Sequence, residues 1–379
     1  MNLKINHSSP YDPAHHIQRI FVHESCQDYP YTKEILYRAK HIPCEIIADD
    51  ATPDIGADAG PYPHNLHIGK RNLLLSLNRG YFFKPCPGTK EYRCCDYQVL
   101  NIGMNCPMDC VYCILQAYLN NPWISFFVNI EDLIAELELA FTETNQFWRI
   151  GTGEYTDSMA LDSITGLSRK LVPFMSDKTT AVLELKSKSA AVHHLKDLTH
   201  GGRTIMAWSL NSPAIMKREE IRTASLDERL AAAAQCAEWG YKLAFHFDPI
   251  IYHTGWREGY SQTIDALFSK VPSERIVWIS MGALRYLPAL RSIALSRFPG
   301  SRFFQEEFIL GLDNKYRYFR ELRVEMYSHI VSELRKRISQ NTCLYFCMES
   351  DEIWKKCGFA DDAAQNLPDD LDKAVKTIY

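Results

Sequence analysis

The chain has 379 residues, 46% hydrophobic and 23% charged, and this composition excludes an intrinsically disordered protein. Its 42 Lys and Arg against 46 Asp and Glu give a formal net charge of −4, so bulk positive charge cannot drive nucleic-acid binding. No apolar run reaches the roughly 18 residues of a membrane helix, and the amino terminus lacks the apolar core of a secretory signal. We therefore expect a soluble, cytoplasmic protein.

Regular alternation of strands and helices begins at about residue 98. Short buried apolar runs predict strands, and a predicted helix follows each of them. The predicted strands cover residues 99–103, 147–151, 181–185, 203–210, 242–251 and 276–281. Such βα repetition favours an α/β fold whose parallel sheet is either open or curled into a partial barrel, with outer helices. Ligands are expected at the carboxyl ends of such strands.

Several helices have recognisable starts and ends. Asn129 is predicted to cap a helix whose first turn holds the acidic residues Glu131 and Asp132. Ser225 and Glu228 match a capping box that opens an Ala-rich helix, which stops at Gly240. Further helices are predicted over residues 158–175, 190–198, 259–270 and 288–297.

The two flanks are less regular than the middle of the chain. Residues 49–69 are rich in Pro, Asp and Gly and predict a loop, and residues 72–77 predict a short strand or a helical turn. The acidic residues 361–372 predict a solvated, partly mobile tail. We therefore divide the chain into an N-terminal extension, a barrel region and a C-terminal extension that could face the substrate, over residues 1–95, 96–300 and 301–379.

Three of the 12 cysteines stand close together, directly after the first predicted strand. Cys106, Cys110 and Cys113 follow the spacing C-x3-C-x2-C. Three thiolates on one tight loop can hold three corners of an iron–sulfur cube, which leaves the fourth iron open to a small molecule. The alternative is a zinc site with three Cys and one His. Because no histidine lies between His67 and His193, a distant histidine would have to complete that site.

This motif after the first strand of a βα series resembles the radical S-adenosyl-L-methionine (SAM) superfamily. Six strings further resemble the spore photoproduct lyase family: YCILQ at 112–116, VNIEDL at 128–133, ELKSK at 184–188, WSLN at 208–211, SLDERL at 225–230 and DPIIYHTGWREGY at 248–260. The resemblance implies a partial (β/α)6 barrel of the TIM type. It also implies a 4Fe-4S cluster that cleaves SAM to a 5′-deoxyadenosyl radical for hydrogen abstraction. Family members repair a thymine–thymine lesion in ultraviolet-damaged spore DNA.

The resemblance also implies roles for individual residues. Cys106, Cys110 and Cys113 match the cluster ligands, and Tyr112 matches the aromatic residue beside the adenine. The positions that resemble SAM contacts are Gly151, Gly153, Glu154, Lys186 and Ser209. A carboxylate can accept bonds from the SAM ammonium, and a lysine or a hydroxyl suits its carboxylate. The residues alone leave simpler readings open: a plain turn at 151–154, a solvated strand end at Lys186 and a core hydroxyl at Ser209.

The chain departs from the family at two positions. An ungapped alignment of residues 149–157 places Glu154 where the lyase has its hydrogen-donating cysteine. The resemblance also implies that Ile114, directly after Cys113, stands where the lyase has a relay tyrosine. A carboxylate cannot give a hydrogen atom to a carbon radical. Tyr155 and Tyr112 are the nearby phenols that we consider as catalytic substitutes.

Three functions are therefore weighed. The first is lesion repair on DNA or another nucleic acid, served by a flavodoxin- or ferredoxin-type electron donor. The second keeps the radical chemistry but uses a peptide, nucleoside or metabolite as substrate. The third is a zinc-stabilised nucleic-acid-binding protein without catalysis.

A second set of cysteines flanks the barrel region on both sides. Its members are Cys86, Cys94, Cys95, Cys343, Cys347 and Cys357. They could bind an auxiliary iron–sulfur cluster, or one of them could donate a hydrogen atom. The alternative is that they are small buried residues, with Cys343 and Cys347 on one helix face.

Basic and aromatic residues alternate after the barrel region. The candidate nucleic-acid contacts are Lys315, Arg317, Tyr318 and Arg320, because such side chains can clamp phosphates and stack on bases. The favoured alternative is an amphipathic helix, with Tyr316, Phe319 and Leu322 at helical spacing. Both interpretations can hold together.

Overall fold

The computed structural model describes residues 10–89, 91–144 and 146–377. The strands are β1 (Arg19–His23), β2 (Cys44–Ile47), β3 (Asn72–Ser76), β4 (Phe83–Pro85), β5 (Gln98–Leu100), β6 (Gly103–Met104), β7 (Ile124–Phe127), β8 (Trp148–Gly151), β9 (Ala181–Ser187), β10 (Thr204–Ser209), β11 (Lys242–Ile250), β12 (Ile276–Ala283), β13 (Arg285–Tyr286), β14 (Phe308–Leu310), β15 (Tyr316–Tyr318) and β16 (Cys343–Phe346). The helices are α1 (Pro30–Arg38), α2 (Leu66–Gly69), α3 (Leu115–Tyr118), α4 (Ile130–Glu143), α5 (Asp162–Thr165), α6 (Ser168–Met175), α7 (Pro213–Glu219), α8 (Leu226–Glu238), α9 (Trp256–Lys270), α10 (Pro288–Arg297), α11 (Arg320–Arg335), α12 (Asp351–Lys356) and α13 (Leu367–Thr377).

The largest sheet has eight curled strands in the order β16-β12-β11-β10-β9-β8-β5-β4. All neighbours in it are parallel except β4, which pairs antiparallel with β5. The six strands predicted from the sequence are β5, β8, β9, β10, β11 and β12, and they lie side by side in chain order. The predicted α/β partial barrel is therefore confirmed, and a strand from each flank extends it.

Burial explains why these segments form central strands. Every residue of β10 and β12 is buried, as expected for a parallel sheet covered on both faces. On the outside, α8 packs against β10, β11 and α9. Because helices cover the outer face of the sheet, the polar loops meet at the carboxyl ends of its strands.

Two smaller sheets flank the barrel. The first has the order β2-β1-β3-β7-β6, so it combines strands from the N-terminal extension with two that follow the first barrel strand. Residues 72–77 were predicted to form a short strand or a helical turn, and the structure shows strand β3 there. The second has the order β13-β15-β14 and is antiparallel.

The predicted capping box is present at α8, where the Ser225 hydroxyl accepts a bond from the Glu228 amide and the Glu228 carboxylate accepts one from the Ser225 amide at 2.8 Å. The helix predicted over 288–297 is α10. Asn129 precedes α4, but its side-chain oxygen accepts a bond from the Asn78 amide at 2.9 Å instead of capping the helix.

Besides the Asn129 cap, four local predictions were wrong. The helix over 158–175 is broken into α5 and α6 by Gly166, which has a φ of 64°. Residues 190–198 form only a short 3₁₀ turn, His193–Leu195. The amphipathic helix near residue 315 begins only at Arg320, after β15. The acidic tail contains the docked helix α13, which buries four residues.

Within the ranges that the structure covers, no helix is both long and apolar enough to cross a bilayer.

Candidate active site at the carboxyl ends of the barrel strands

The three cysteines of the C-x3-C-x2-C loop line a single cavity of about 150 Å³. Cys106 and Cys110 are buried, Cys113 is half-buried, and all three are free thiols. Burial raises the pKa of Cys106 well above its ordinary value and that of Cys110 to about 12. A bound metal would displace these protons, because thiolates are the form that binds metals.

A buried ion triad that the sequence analysis missed holds this loop in place. The Asp109 carboxylate lies 3.2 Å from the Lys70 ammonium and 2.8 Å from the Arg297 guanidinium, and all three side chains are almost fully buried. Burial would raise the pKa of Asp109, but the two cations lower it overall. Lys70 also donates to the Met108 carbonyl at 2.8 Å. The cysteine loop is therefore anchored to the flanking sheet region and to α10.

The opposite wall of the same cavity comes from the ends of β8, β9 and β10. It includes Gly153, Glu154, Lys186 and Ser209, four of the predicted SAM contacts. Burial would lower the pKa of Lys186, but the carboxylates of Glu154, Glu184 and Asp248 outweigh it and raise the pKa. The lysine is therefore charged in this site. A β-carbon at Gly153 would lie 3.3 Å from the Lys186 side chain, so this position suits glycine.

Gly151 does not line this cavity. It lies at the end of β8, where an added β-carbon would be 1.7 Å from the Tyr97 hydroxyl oxygen. Tyr97 in turn donates to the buried Glu184 carboxylate at 2.6 Å. The contact with Tyr97 is a sufficient structural reason for glycine at position 151.

Two charged residues that line this cavity, Asp157 and Lys188, escaped the sequence analysis. The Asp157 carboxylate accepts bonds from the Ser187 hydroxyl at 2.7 Å and the Lys188 amide at 2.9 Å, so it fixes the end of β9. The Lys188 ammonium lies 5.8 Å from the centre of the Tyr112 ring. Lys188 could have been predicted from the string ELKSK, because lysines two residues apart on a strand face the same side and Lys186 was already a predicted SAM contact.

Tyr112 contributes its ring to the cavity, while its hydroxyl is engaged elsewhere. The hydroxyl donates to the buried carboxylate of Glu220, which pairs with the buried Arg229 guanidinium at 2.6 Å. Burial raises the pKa of Tyr112 well above its usual value, and the Glu220 charge raises it further.

A larger cavity of about 490 Å³ adjoins the first. The residues that border both are Tyr112, Cys113, Ile114, Leu115 and Glu154. Its far wall carries polar groups from other elements: Tyr155, Asp248, Arg285 and Lys315. The Arg285 guanidinium pairs with the Asp248 carboxylate at 3.2 Å. Ile114 and Glu154, the two predicted departures from the family pattern, thus lie where the two cavities meet.

Of the four candidate nucleic-acid contacts, only Lys315 lines this cavity. The Arg317 side chain is buried, pairs with Asp313 at 2.6 Å and lies 4.0 Å above the Tyr92 ring. Tyr318 is fully buried and its hydroxyl accepts the Tyr252 amide at 3.1 Å. Arg320 is at the surface and pairs with Glu352. The residues therefore do not form one continuous basic-aromatic surface.

The flanking cysteines divide into two groups. Cys86, Cys94 and Cys95 lie on the loop before β5, which contacts the segment after Cys347 through a bond from the Arg93 amide to the Glu349 carbonyl at 3.2 Å. The charge of Cys347 acts to raise the pKa of both Cys86 and Cys95. Cys343 opens strand β16, so it does not share a helix face with Cys347 as the alternative interpretation required. Cys357 follows α12, with its sulfur 3.9 Å from the Val324 carbonyl oxygen.

The described residues contain no group of three or more His, Cys, Asp or Glu side chains placed to hold one metal ion. This does not conflict with a cluster, in which each thiolate binds a different iron and the ligands stand further apart.

Comparison with known proteins gives a consistent result. The family model described as spore photoproduct lyase matches residues 15–352. The spore photoproduct lyase of Bacillus subtilis (strain 168) is 24% identical over 260 residues, 68% of this chain and 74% of that protein. The enzyme of Geobacillus sp. (strain Y412MC61) is 30% identical over 200 residues, 52% and 57% of the respective chains.

Solved structures agree on the fold. A spore photoproduct lyase complexed with dinucleoside spore photoproduct superposes with a TM-score of 0.77 at 22% identity, covering 90% of this chain and all of that one. A lyase variant with bound AdoMet and dinucleoside spore photoproduct gives a TM-score of 0.78 with the same coverage.

Proposed function

Because the chain belongs to the spore photoproduct lyase family, whose members are radical SAM lyases, we propose that Cys106, Cys110 and Cys113 hold a 4Fe-4S cluster and that SAM binds beside it. The observation that carries this proposal is that the three free thiols and four predicted SAM contacts line one cavity. When bound, the cluster and SAM supply a 5′-deoxyadenosyl radical that abstracts a hydrogen atom from the substrate.

The residues around the small cavity suit the amino-acid end of SAM. Glu154 accepts bonds from the ammonium group, and Lys186 offsets the charge of the carboxylate, helped by the Ser209 hydroxyl. Lys188 adds a second positive charge on the same side of β9. The Tyr112 ring, held by Glu220, provides a flat apolar surface for the adenine.

We place the substrate in the larger cavity, because five residues border both cavities. A substrate in the larger cavity would therefore lie next to SAM in the smaller one. We propose that this substrate is a thymine photolesion of DNA. Lys315 and Arg285 are basic groups on the far wall that can face a phosphate. Relatives with this fold bind the dinucleoside form of the lesion.

A second candidate keeps the radical chemistry and changes the substrate to a peptide, nucleoside or metabolite. One prediction from the sequence and one observation favour it. The alignment described above places Glu154 where the lyase has a hydrogen-donating cysteine, and Arg317 and Tyr318 are buried instead of facing a nucleic acid.

For lesion repair, Tyr155 is the phenol better placed to give the last hydrogen atom. Its ring lines the larger cavity next to Glu154, whereas the Tyr112 hydroxyl is bound to Glu220. The O–H bond of Tyr155 breaks as the C–H bond of the product forms. A flavodoxin- or ferredoxin-type donor then supplies an electron, and solvent a proton, to restore the phenol.

A single assay separates the two candidates. Reconstituted protein is incubated with SAM, reductant and dinucleoside spore photoproduct, and both thymidine dinucleoside and 5′-deoxyadenosine are quantified. Repair predicts that the two products appear together. If 5′-deoxyadenosine forms but the lesion is unchanged, the DNA substrate is wrong and the second candidate takes its place.

A further inference from the structure

Two distant segments of the chain, one with Cys86, Cys94 and Cys95 and the other with Cys347, come together beside the larger cavity, which Pro87 and Met348 line. A β-carbon at Gly88 would lie 3.0 Å from the Cys94 sulfur, so the turn that follows Cys86 packs against Cys94. Cys347, about 250 residues further along the chain, is close enough to raise the pKa of both Cys86 and Cys95. All four are free and half-buried.

Backbone contacts fix both segments in this position. The Cys86 amide donates to the Tyr97 carbonyl at 2.9 Å and the Cys347 amide to the Met281 carbonyl at 2.8 Å, so each cysteine is tied to the barrel. The Arg93 amide donates to the Glu349 carbonyl at 3.2 Å. The Arg93 guanidinium also pairs with Asp351 at 2.7 Å. The loop before β5 and the segment after β16 are therefore clamped together.

Positive charge lies next to the sulfurs. The Arg285 guanidinium donates to the Cys347 sulfur at 3.5 Å. Burial raises the pKa of Cys347 to about 11, while Arg285 and Lys186 act to lower it. Cations and N–H donors beside sulfur ligands stabilise the negative charge of a thiolate-bound cluster.

From this convergence we propose that Cys86, Cys94, Cys95 and Cys347 bind a second iron–sulfur cluster through four thiolates. Among the described residues, no three such side chains are placed to hold one metal ion. A polynuclear cluster needs each thiolate to reach only its own iron, with inorganic sulfide filling the space between them. Soft thiolate ligands select iron–sulfur clusters over hard cations.

The position of the site distinguishes it from the C-x3-C-x2-C loop. Pro87 and Met348, the neighbours of Cys86 and Cys347, line the larger cavity, which Cys113 also borders. Residues next to Cys86 and Cys347 thus border the same cavity as Cys113 of the cysteine loop. Four protein ligands leave no open iron, so the second cluster exchanges electrons and does not bind SAM.

The test is iron and sulfide content after anaerobic reconstitution of a Cys106→Ala/Cys110→Ala/Cys113→Ala variant. We expect this variant to keep about half of the wild-type iron and sulfide, as for one of two clusters of similar size. Adding Cys94→Ala and Cys347→Ala should remove the remainder. Adding Cys343→Ser and Cys357→Ala instead should not, because those cysteines lie outside the group. Far-ultraviolet circular dichroism checks that each variant is folded.

Iron-free triple variant protein would overturn the second cluster, as would iron that survives the loss of Cys94 and Cys347, or zinc without sulfide. A Cys94→Ser/Cys95→Ser variant in which Cys106, Cys110 and Cys113 are intact gives an independent check if the larger variants fail to fold. It should lose about half of its iron while its remaining cluster still responds spectroscopically to SAM. This inference does not depend on the proposed repair function. A SAM-responsive wild-type protein with an iron-free triple variant would refute the second cluster alone.

Discussion

Glu154 has a particular place among the single residues, since its carboxylate borders both cavities. The Lys186 ammonium is close enough for Glu154 to raise its pKa. The sequence allowed two interpretations of this position: a SAM contact after a glycine turn, or a replaced hydrogen donor. The geometry makes the two interpretations compatible. The Glu154 carboxylate can bind the SAM ammonium, and the same position then holds no thiol that could donate a hydrogen atom to the substrate.

Replacing Glu154 tests its part in binding SAM. Glu154→Gln keeps the shape but removes the charge that bonds to an ammonium, so SAM affinity should fall about tenfold or more, as for the loss of a charge-assisted hydrogen bond. Equilibrium binding of SAM to the reconstituted protein measures this. Glu131→Gln, on the exposed side of α4, is the control and should bind normally. Equal affinity in both variants would remove Glu154 from the SAM site.

Removing the hydroxyl of Tyr155 and that of Tyr112 should have different effects on product formation. Tyr155→Phe should abolish product formation but not 5′-deoxyadenosine formation, because only the final hydrogen transfer needs its hydroxyl. Tyr112→Phe should keep both products and lose about 1 kcal/mol of stability, since it deprives Glu220 of a buried donor. Product analysis and urea unfolding measure the two effects. Normal product yield from Tyr155→Phe would exclude that residue as the donor.

At the scale of elements, the barrel strands were predictable because their apolar runs are short, buried and separated by clear helix signals. The breaks were harder to predict. Gly166 interrupts a helical pattern with a left-handed backbone conformation, and β15 contains Tyr316, which was assigned to a helix from its spacing to Phe319 and Leu322. Tertiary contacts such as the Arg317–Asp313 pair stabilise β15, and such contacts cannot be predicted from residue spacing.

The contact between β8 and Tyr97 provides a test of this packing. Gly151→Ala should destabilise the metal-free protein by about 2 kcal/mol or more, because the new methyl group overlaps the Tyr97 hydroxyl and disturbs its bond to Glu184. Gly300→Ala is the control, since a β-carbon there meets no atom within 4 Å. Urea unfolding measures both, and equal stability would contradict the described packing.

At the scale of the whole molecule, residues far apart in sequence complete the barrel. Helix α13 docks on the outside of β12 and β16, and Lys242 donates to its Val375 carbonyl at 2.7 Å. Its buried Leu367, Leu371 and Val375 recur every four residues, a helical signal that the acidic composition obscured. The approach of Cys347 to Cys94 could not be predicted, because spacing carries no information about long-range contacts.

The ion pair that attaches α13 should be worth more than a surface pair. Asp372→Asn leaves the Arg149 guanidinium, whose side chain is only 5% exposed, without its charged partner, so we expect a loss of about 2–4 kcal/mol. Asp361→Asn breaks an exposed pair with Lys355 and should cost less than about 0.5 kcal/mol. Urea unfolding compares them. Similar values for both variants would mean that the Arg149–Asp372 pair does not contribute to the attachment of α13.

The central claim is that the loop cysteines support reductive cleavage of SAM. The direct measurement is 5′-deoxyadenosine formed by anaerobically reconstituted protein with SAM and reductant, for the wild type, Cys110→Ser and Cys44→Ser. The account predicts formation by the wild type and by Cys44→Ser, whose thiol is exposed on β2, and none by Cys110→Ser. Equal formation by Cys110→Ser, or none by a wild-type protein that carries its cluster, would contradict the account.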